Sequence, residues 1–495
     1  MSVRCRARGP PPLARRSLPG ERLRGRIASV LTSGEIETES RGALLGVVVF
    51  EAGILAAHAA AALLLRTVAW PEVTTPAYLW SRGFLLYRDV KYLHTPGLIG
   101  LLALCFRVFG PATAVVRIFA LSGPLVAHAQ VLVETRALSI PRRILVSAFF
   151  LVCLFVSNGN AVWPSALMAP LALPLVRSLT RERWRRAGLT IGIAILLKQT
   201  AAYVLIAAAL VLLIRRRARA SLELSFFAAL PYAGVLGAFA LAGAGGEMLR
   251  WTLAVPFQVQ EVTFGPSLFT ASMMAAGFVP LVIVLAWGKD ARQAETLWLL
   301  VVAAGLTLLA YPNFLLMQTI AAIPCLAVGA ARALTFRGRL SPAIPAFLLL
   351  YTVSRGIVLA AGETFDGRVL FWNDDPDFNA VIERLRRLPE TARVHSELWG
   401  NVLPRAERLP PGRIWVHPWL RWYFPVEDCR ARVLAAARAP GTVWVNYRDA
   451  LPLGERVGPY AIWTVPPSPP PDAGAARESR VVPDSAAQNG SDQKE

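Results

Sequence analysis

Acidic residues are scarce in this chain, 32 Asp and Glu against 52 Lys and Arg, and histidine occurs only five times. Cysteine is scarcer than its length suggests. The five residues Cys5, Cys105, Cys153, Cys325 and Cys429 show no C-x-x-C spacing and lie mostly in apolar runs. That pattern excludes a disulfide framework and a cysteine metal cluster, and it fits buried free thiols. No G-x-G-x-x-G, Walker or H-E-x-x-H pattern occurs either, so nucleotide cofactors and zinc-peptidase chemistry have no support. Charge of both signs is low: 17% of residues are charged, 55% are hydrophobic and the mean hydropathy is +0.46. A soluble chain of 495 residues would divide into about three domains, each with a charged surface. That surface is missing here.

Long apolar runs take its place. Residues 43–65, 221–243 and 341–361 are each long enough to cross a hydrocarbon core of about 30 Å. The sequence therefore predicts a mainly α-helical, polytopic transmembrane bundle. Residues 1–42 are rich in Arg and Pro, lack a small-residue cleavage site, and read as a disordered cytoplasmic leader. The net charge of +20 resides largely in short loops between apolar runs. Insertion with the positive loops inside explains it without nucleic acid.

Charge also orders the spans. Basic clusters fall at Arg136/Arg142/Arg143, Arg177–Arg186, Arg215–Arg219, Lys289/Arg292 and Arg332–Arg339. All lie on the side of the N-terminus if the short run 95–109 does not fully cross. The spans are then 43–65, 112–135, 144–157, 161–178, 187–197, 200–214, 221–243, 268–287, 295–310, 314–331 and 341–361, about eleven in total. This arrangement puts the N-terminus inside and the C-terminus outside, and it turns the run 187–214 around near Lys198-Gln199-Thr200 on the outer face. The transmembrane domain is 43–361. Residues 362–465 form a small outer-face α/β domain, with helices at 377–388 and 427–437 and strands at 413–416, 442–445 and 461–465. Residues 466–495 read as a disordered tail.

The outer loop 66–94 is the most densely functionalised stretch. It carries Glu72, Arg82, Arg88, Asp89, Lys91 and His94, interleaved with Tyr78, Trp80, Tyr87 and Tyr92. The aromatics read as interface-belt residues. An acid can take a proton from an acceptor hydroxyl, and cations can stabilise negative charge on a departing phosphate. On residue type alone Glu72 and Asp89 are the catalytic candidates. Lys198 in an apolar run is costly unless it reaches the interface or meets an anion.

Gly83-Phe-Leu-Leu-Tyr-Arg-Asp89 followed by His94-Thr-Pro96 resembles the first outer loop of GT-C glycosyltransferases of the protein O-mannosyltransferase and aminoarabinose transferase kind. Gly188-x-x-x-Gly192-x-Ala194-x-Leu196-x-Lys198-Gln199 resembles a second motif of the bacterial members. Tyr311-Pro-Asn-Phe with Gln318 and Pro324 resembles a third. The resemblance implies a GT-C fold in a bacterial plasma membrane. It implies transfer of a sugar from a polyprenyl-phosphate carrier to a glycan, lipid or protein acceptor on the extracytoplasmic face, with inversion. It gives Glu72 the role of base and His94 that of donor-phosphate contact, with Lys198 a second contact. Arg88, Lys91, Gln199 and Tyr87 complete the substrate-binding set. No cofactor beyond the lipid-linked donor is implied, and no residue pattern supports a divalent metal. The family's second outer-loop acid is absent: Asn158 and Asn160 stand there. A lipid or polysaccharide transporter and a non-catalytic scaffold of the same fold are the alternatives.

Overall fold

Apolar runs bounded by Arg, Pro and Gly become helices, because a buried or lipid-facing backbone must satisfy its own hydrogen bonds. The computed structural model describes residues 34–258, 268–287, 293–310, 315–335, 343–362, 368–370, 372, 375–398, 400–418, 420, 427–450 and 454–466. The leader up to residue 33 and the tail from 467 lie outside the described residues, as do 311–314 of the third motif. Two units form, Met1–Ala56 and Ala57–Glu495.

The helices in order are α1 (Gly34–Leu64), α2 (Pro71–Ser81), α3 (Gly97–Phe109), α4 (Thr113–Glu134), α5 (Ile140–Val156), α6 (Pro164–Thr180), α7 (Trp184–Leu197), α8 (Ala202–Ile214), α9 (Ala218–Leu241), α10 (Leu268–Trp287), α11 (Gln293–Thr307), α12 (Ile323–Leu334) and α13 (Ala343–Gly362). A helix, α1 or one of α4–α13, occupies each of the eleven segments expected from the sequence. Among the described residues, six helical stretches are long and apolar enough to cross a membrane by themselves: Leu45–Leu64, Thr113–Glu134, Ala218–Leu241, Gln293–Ala310, Leu316–Leu334 and Ala343–Gly362. Of the remaining helices of the bundle, α10 has 20 residues and the others 17 or fewer. The protein is a multi-pass membrane protein, mainly helical.

Packing separates inner from outer helices. The Leu316–Leu334 stretch is 89% buried by protein, whereas Ala218–Leu241 and Ala343–Gly362 are 17% and 22% buried and turn their apolar side chains outward. Helices α7 and α9 approach closely. A Cβ on Gly188 would lie 2.5 Å from the Leu224 carbonyl oxygen, and one on Gly192 2.5 Å from that of Ala228. The small-x-x-x-small spacing of the second motif is thus a helix-contact surface. Pro231 within α9 packs at the same place.

The region 66–94 contains more structure than a loop. Pro71 at the first helical position and Glu72 in the first turn open α2, a combination helices favour. Strand β1 (Thr67–Val68) pairs in parallel with β3 (Val369–Leu370), and β2 (Val90–Lys91) with β5 (Trp415–Val416). Asn401 donates from Nδ2 to the Ala69 carbonyl (3.0 Å), and its Oδ1 accepts from the Thr74 hydroxyl. The segment 66–94 is therefore stitched to the C-terminal region. Tyr78, Tyr87 and Tyr92 are correspondingly buried instead of forming an interface belt.

The C-terminal region holds a four-stranded sheet in the order β4 (Val394–Ser396), β6 (Val443–Tyr447), β8 (Tyr460–Thr464), β7 (Glu455–Val457), with β4–β6 parallel and the rest antiparallel. Helix α14 (Pro376–Arg386) buries Phe378, Val381, Ile382 and Leu385. Its N-cap Asp375 accepts from the Phe378 N–H at 2.6 Å, the arrangement that favours Asp at this position. Helix α15 is Glu427–Ala437.

Candidate functional site

Helix α7 ends at Leu197, Lys198 is fully extended (φ −157°, ψ 124°), and Gln199–Ala201 form a 3-10 turn into α8. The break expected near Lys198 is there, and it meets the end of the segment 66–94. Gln199 donates to the Leu93 carbonyl (2.8 Å), and the Thr95 hydroxyl donates to the Ile195 carbonyl (2.6 Å). Gly97 follows because a Cβ there would lie 2.5 Å from the Leu196 oxygen. Two motifs distant in sequence are thereby laced together, with His94 between the laces.

Lys198 is buried. Its ammonium donates to the Leu309 carbonyl (3.3 Å) and to the Gln318 side-chain oxygen. Burial lowers it to about 7, since an ammonium loses its hydration there. Burial also lowers His94, to about 3, and the positive charge of Lys198 pushes the same way, with Gln199 acting in the opposite direction. The imidazole is therefore neutral at pH 7. Its ring meets Tyr92 edge-on at 5.6 Å and Trp163 at 6.5 Å. Tyr87 donates from its hydroxyl to the His94 carbonyl (2.8 Å), which fixes this backbone.

Glu72 keeps some accessible surface but lies deep in the protein volume, and burial pushes its carboxyl up to about 8. Its charge contributes, after burial, to raising the Tyr92 phenol. Tyr92 thus feels the charge of Glu72 and its ring meets His94, which in turn feels the charge of Lys198. The Tyr92 hydroxyl, His94 Nδ1, Trp163 Nε1 and Thr200 Oγ1 are buried without a hydrogen-bond partner among the described residues. Buried polar atoms left unpaired cost stability, and several in one place mark a site shaped for something polar.

The other sequence candidates are engaged elsewhere. Asp89 accepts from the Leu85 N–H (2.8 Å) and from Arg88 (3.0 Å and 3.1 Å). Burial acts to raise it, but the Arg88 and Leu85 hydrogen bonds and the nearby Arg413 hold it below the usual range. Lys91 donates to the Tyr87 and Arg88 carbonyls (2.8 and 3.1 Å) and to Glu247 (3.1 Å), and Trp251 donates to the same Glu247 oxygen. In place of the absent second acid, Asn160 donates to the Arg66 carbonyl, and Asn158 is exposed in a left-handed conformation (φ 53°). Among the described residues no group of three or more His, Cys, Asp or Glu side chains could hold a metal ion.

Trp163 and Thr200 were not candidates in the sequence analysis, and Gln318 entered there only as part of a motif. Gln318 lies in the 3-10 turn Leu316–Ala322 before α12. A polar residue in an otherwise apolar, buried stretch is the signal that could have paired it with Lys198.

No protein-family model matches the sequence, and no curated protein matches it significantly. Its structure matches the crystal structure of ArnT from Cupriavidus metallidurans in the apo state, with a TM-score of 0.57 and 12% identity over 85% of this chain and 98% of that one. The crystal structure of the same ArnT bound to undecaprenyl phosphate matches with a TM-score of 0.57 and 11% identity, over 84% and 97% of the two chains. The protein has a GT-C-type fold. Identity at this level establishes architecture, and the GT-C fold extends over most of the chain. Within the GT-C architecture, the stretch 93–95 around His94 is bonded to the α7–α8 break that carries Lys198.

Proposed function

We infer that the protein is a membrane glycosyltransferase that moves a sugar from a polyprenyl-phosphate carrier to an acceptor hydroxyl on the extracytoplasmic face. The observation that carries this is the lacing of the His94 stretch to the break holding buried Lys198, with Glu72 acting on Tyr92 beside His94, on a fold similar to that of a protein crystallised with undecaprenyl phosphate.

The chemistry divides among these residues. The Glu72 carboxylate takes the acceptor hydroxyl proton as the oxygen attacks the anomeric carbon. The bond from that carbon to the phosphate oxygen breaks, and its electron pair leaves with the polyprenyl phosphate, so the anomeric configuration inverts. A carboxyl raised to about 8 is a stronger base than an ordinary glutamate and is matched to neutral pH. Lys198 supplies positive charge to the departing phosphate. His94, neutral in the free protein, contributes an N–H donor and not a second cation. Asp89, held by Arg88 and Leu85, serves the architecture of the outer segment, as do Arg88 and Lys91.

Purified protein in proteoliposomes is tested with labelled sugar on polyprenyl-phosphate carriers. Sugar transfer to an acceptor supports this reading. Movement of the intact lipid-linked sugar across the bilayer without transfer favours the transporter.

A further inference from the structure

Four helix ends meet at the turns 181–183 (α6 to α7) and 215–217 (α8 to α9). The turns are pinned to each other by the Arg217–Glu182 ion pair, and Arg185 pairs with Glu223 on α9 (2.7 Å). Close α7–α9 packing through Gly188 and Gly192 holds them in place. Two separate basic segments of sequence become one surface. Arg181, Arg183, Arg186, Arg215, Arg216 and Arg219 on it are exposed and have no ion pair among the described residues. The two acids in the cluster, Glu182 and Glu223, are already paired. Immediately along the helices the surface turns apolar, with Leu189, Leu222 and Phe226 exposed.

We propose that this surface is a binding site for an anionic glycerophospholipid of the bilayer. The lipid phosphate lies among the unpaired arginines and its acyl chains lie along Leu222 and Phe226. Insertion with positive loops inside requires only that the arginines be on one side. It does not account for their convergence, for their lack of ion pairs among the described residues, or for the apolar strip beside them. Guanidinium groups match phosphate oxygens in geometry as well as charge, and clustered Arg beside a spanning helix attracts anionic lipid. The site is separate from Glu72, His94 and Lys198 and does not depend on the proposed transfer.

Native mass spectrometry of the full chain, released from nanodiscs of phosphatidylcholine and phosphatidylglycerol, reads the retained lipid. Wild-type protein should keep phosphatidylglycerol preferentially. Arg215→Gln/Arg216→Gln/Arg219→Gln should keep it about a hundredfold less well, the loss expected on removing three lipid-facing charges. Equal retention of the two lipids by wild type, or equal preference in the variant, would overturn the proposal. Should the variant not fold, wild type alone decides. Preference for phosphatidylglycerol must weaken as salt screens the arginines, and a preference unchanged between low and high salt counts against the site.

Discussion

At the residue scale, two groups have their ordinary ionisation displaced in opposite senses. Glu72 is raised to about 8 and Lys198 lowered to about 7, both by burial. Catalysis needs Glu72 ionised, which favours higher pH, and Lys198 protonated, which favours lower pH. The pH profile of kcat/KM should therefore be bell-shaped, with limbs near 7 and 8 that belong to the pair and not to either residue alone. Bound donor phosphate raises Lys198, so the profile of kcat should extend further to the alkaline side. A flat kcat/KM between pH 6 and 9 (roughly the window either side of these values) would remove both assignments. Replacing Lys198 by Met keeps the apolar stem and deletes the charge. Binding of polyprenyl phosphate should weaken about 10- to 100-fold, the worth of a charge-assisted contact, as read by titration in detergent. Lys198 was conspicuous in the sequence as a charge in an apolar run, and the resemblance drew attention to Glu72. Their partners were not legible there. Gln318 at Lys198 and Tyr92 beside His94 depend on contacts between distant segments, for which no local pattern exists.

At the element scale, helix positions followed from hydrophobic runs and their Arg, Pro and Gly boundaries. The break at Lys198 and the helices α14 and α15 were legible for the same reason. Helix α2 was missed although Pro71-Glu72 is a helix-start signal, since its eleven residues carry no clean apolar period. The pairings of β1 with β3 and β2 with β5 were also missed, because two-residue strands joined across about 300 positions leave no periodicity. Two predictions belong here. Gly192→Leu places side-chain atoms against the Ala228 carbonyl and Pro231, and should lower stability by about 1–3 kcal/mol or more. Gly237→Ala on α9, which meets nothing within 4 Å, should be neutral or slightly stabilising. Thermal inactivation midpoints of the two variants check this pair. Asn401→Ala should cost about 1–3 kcal/mol, because it strips a buried carbonyl of its donor. The same midpoint measurement reads that loss.

At the scale of the whole molecule, the C-terminal region and the segment 66–94 act as one body, through paired strands and the Trp415 N–H donating to the Asp89 carbonyl (2.8 Å). They must lie on one side of the membrane, and the arginine-rich turns at 181–183 and 215–217 lie at the far ends of helices α7 and α8. Single cysteines at the exposed positions 88 and 438 should label from the same side, and cysteines at 183 and 216 from the other. Labelling of 88 and 438 from opposite sides would break the topology. The most direct test of the central claim compares sugar transfer from a polyprenyl-phosphate donor by wild type and by Glu72→Gln. The amide keeps the shape of the site and cannot accept the proton. Transfer should fall about 10²- to 10⁴-fold, the usual contribution of a positioned base, while binding of polyprenyl phosphate is retained. Transfer at the wild-type rate by Glu72→Gln would show that this carboxylate is not the base.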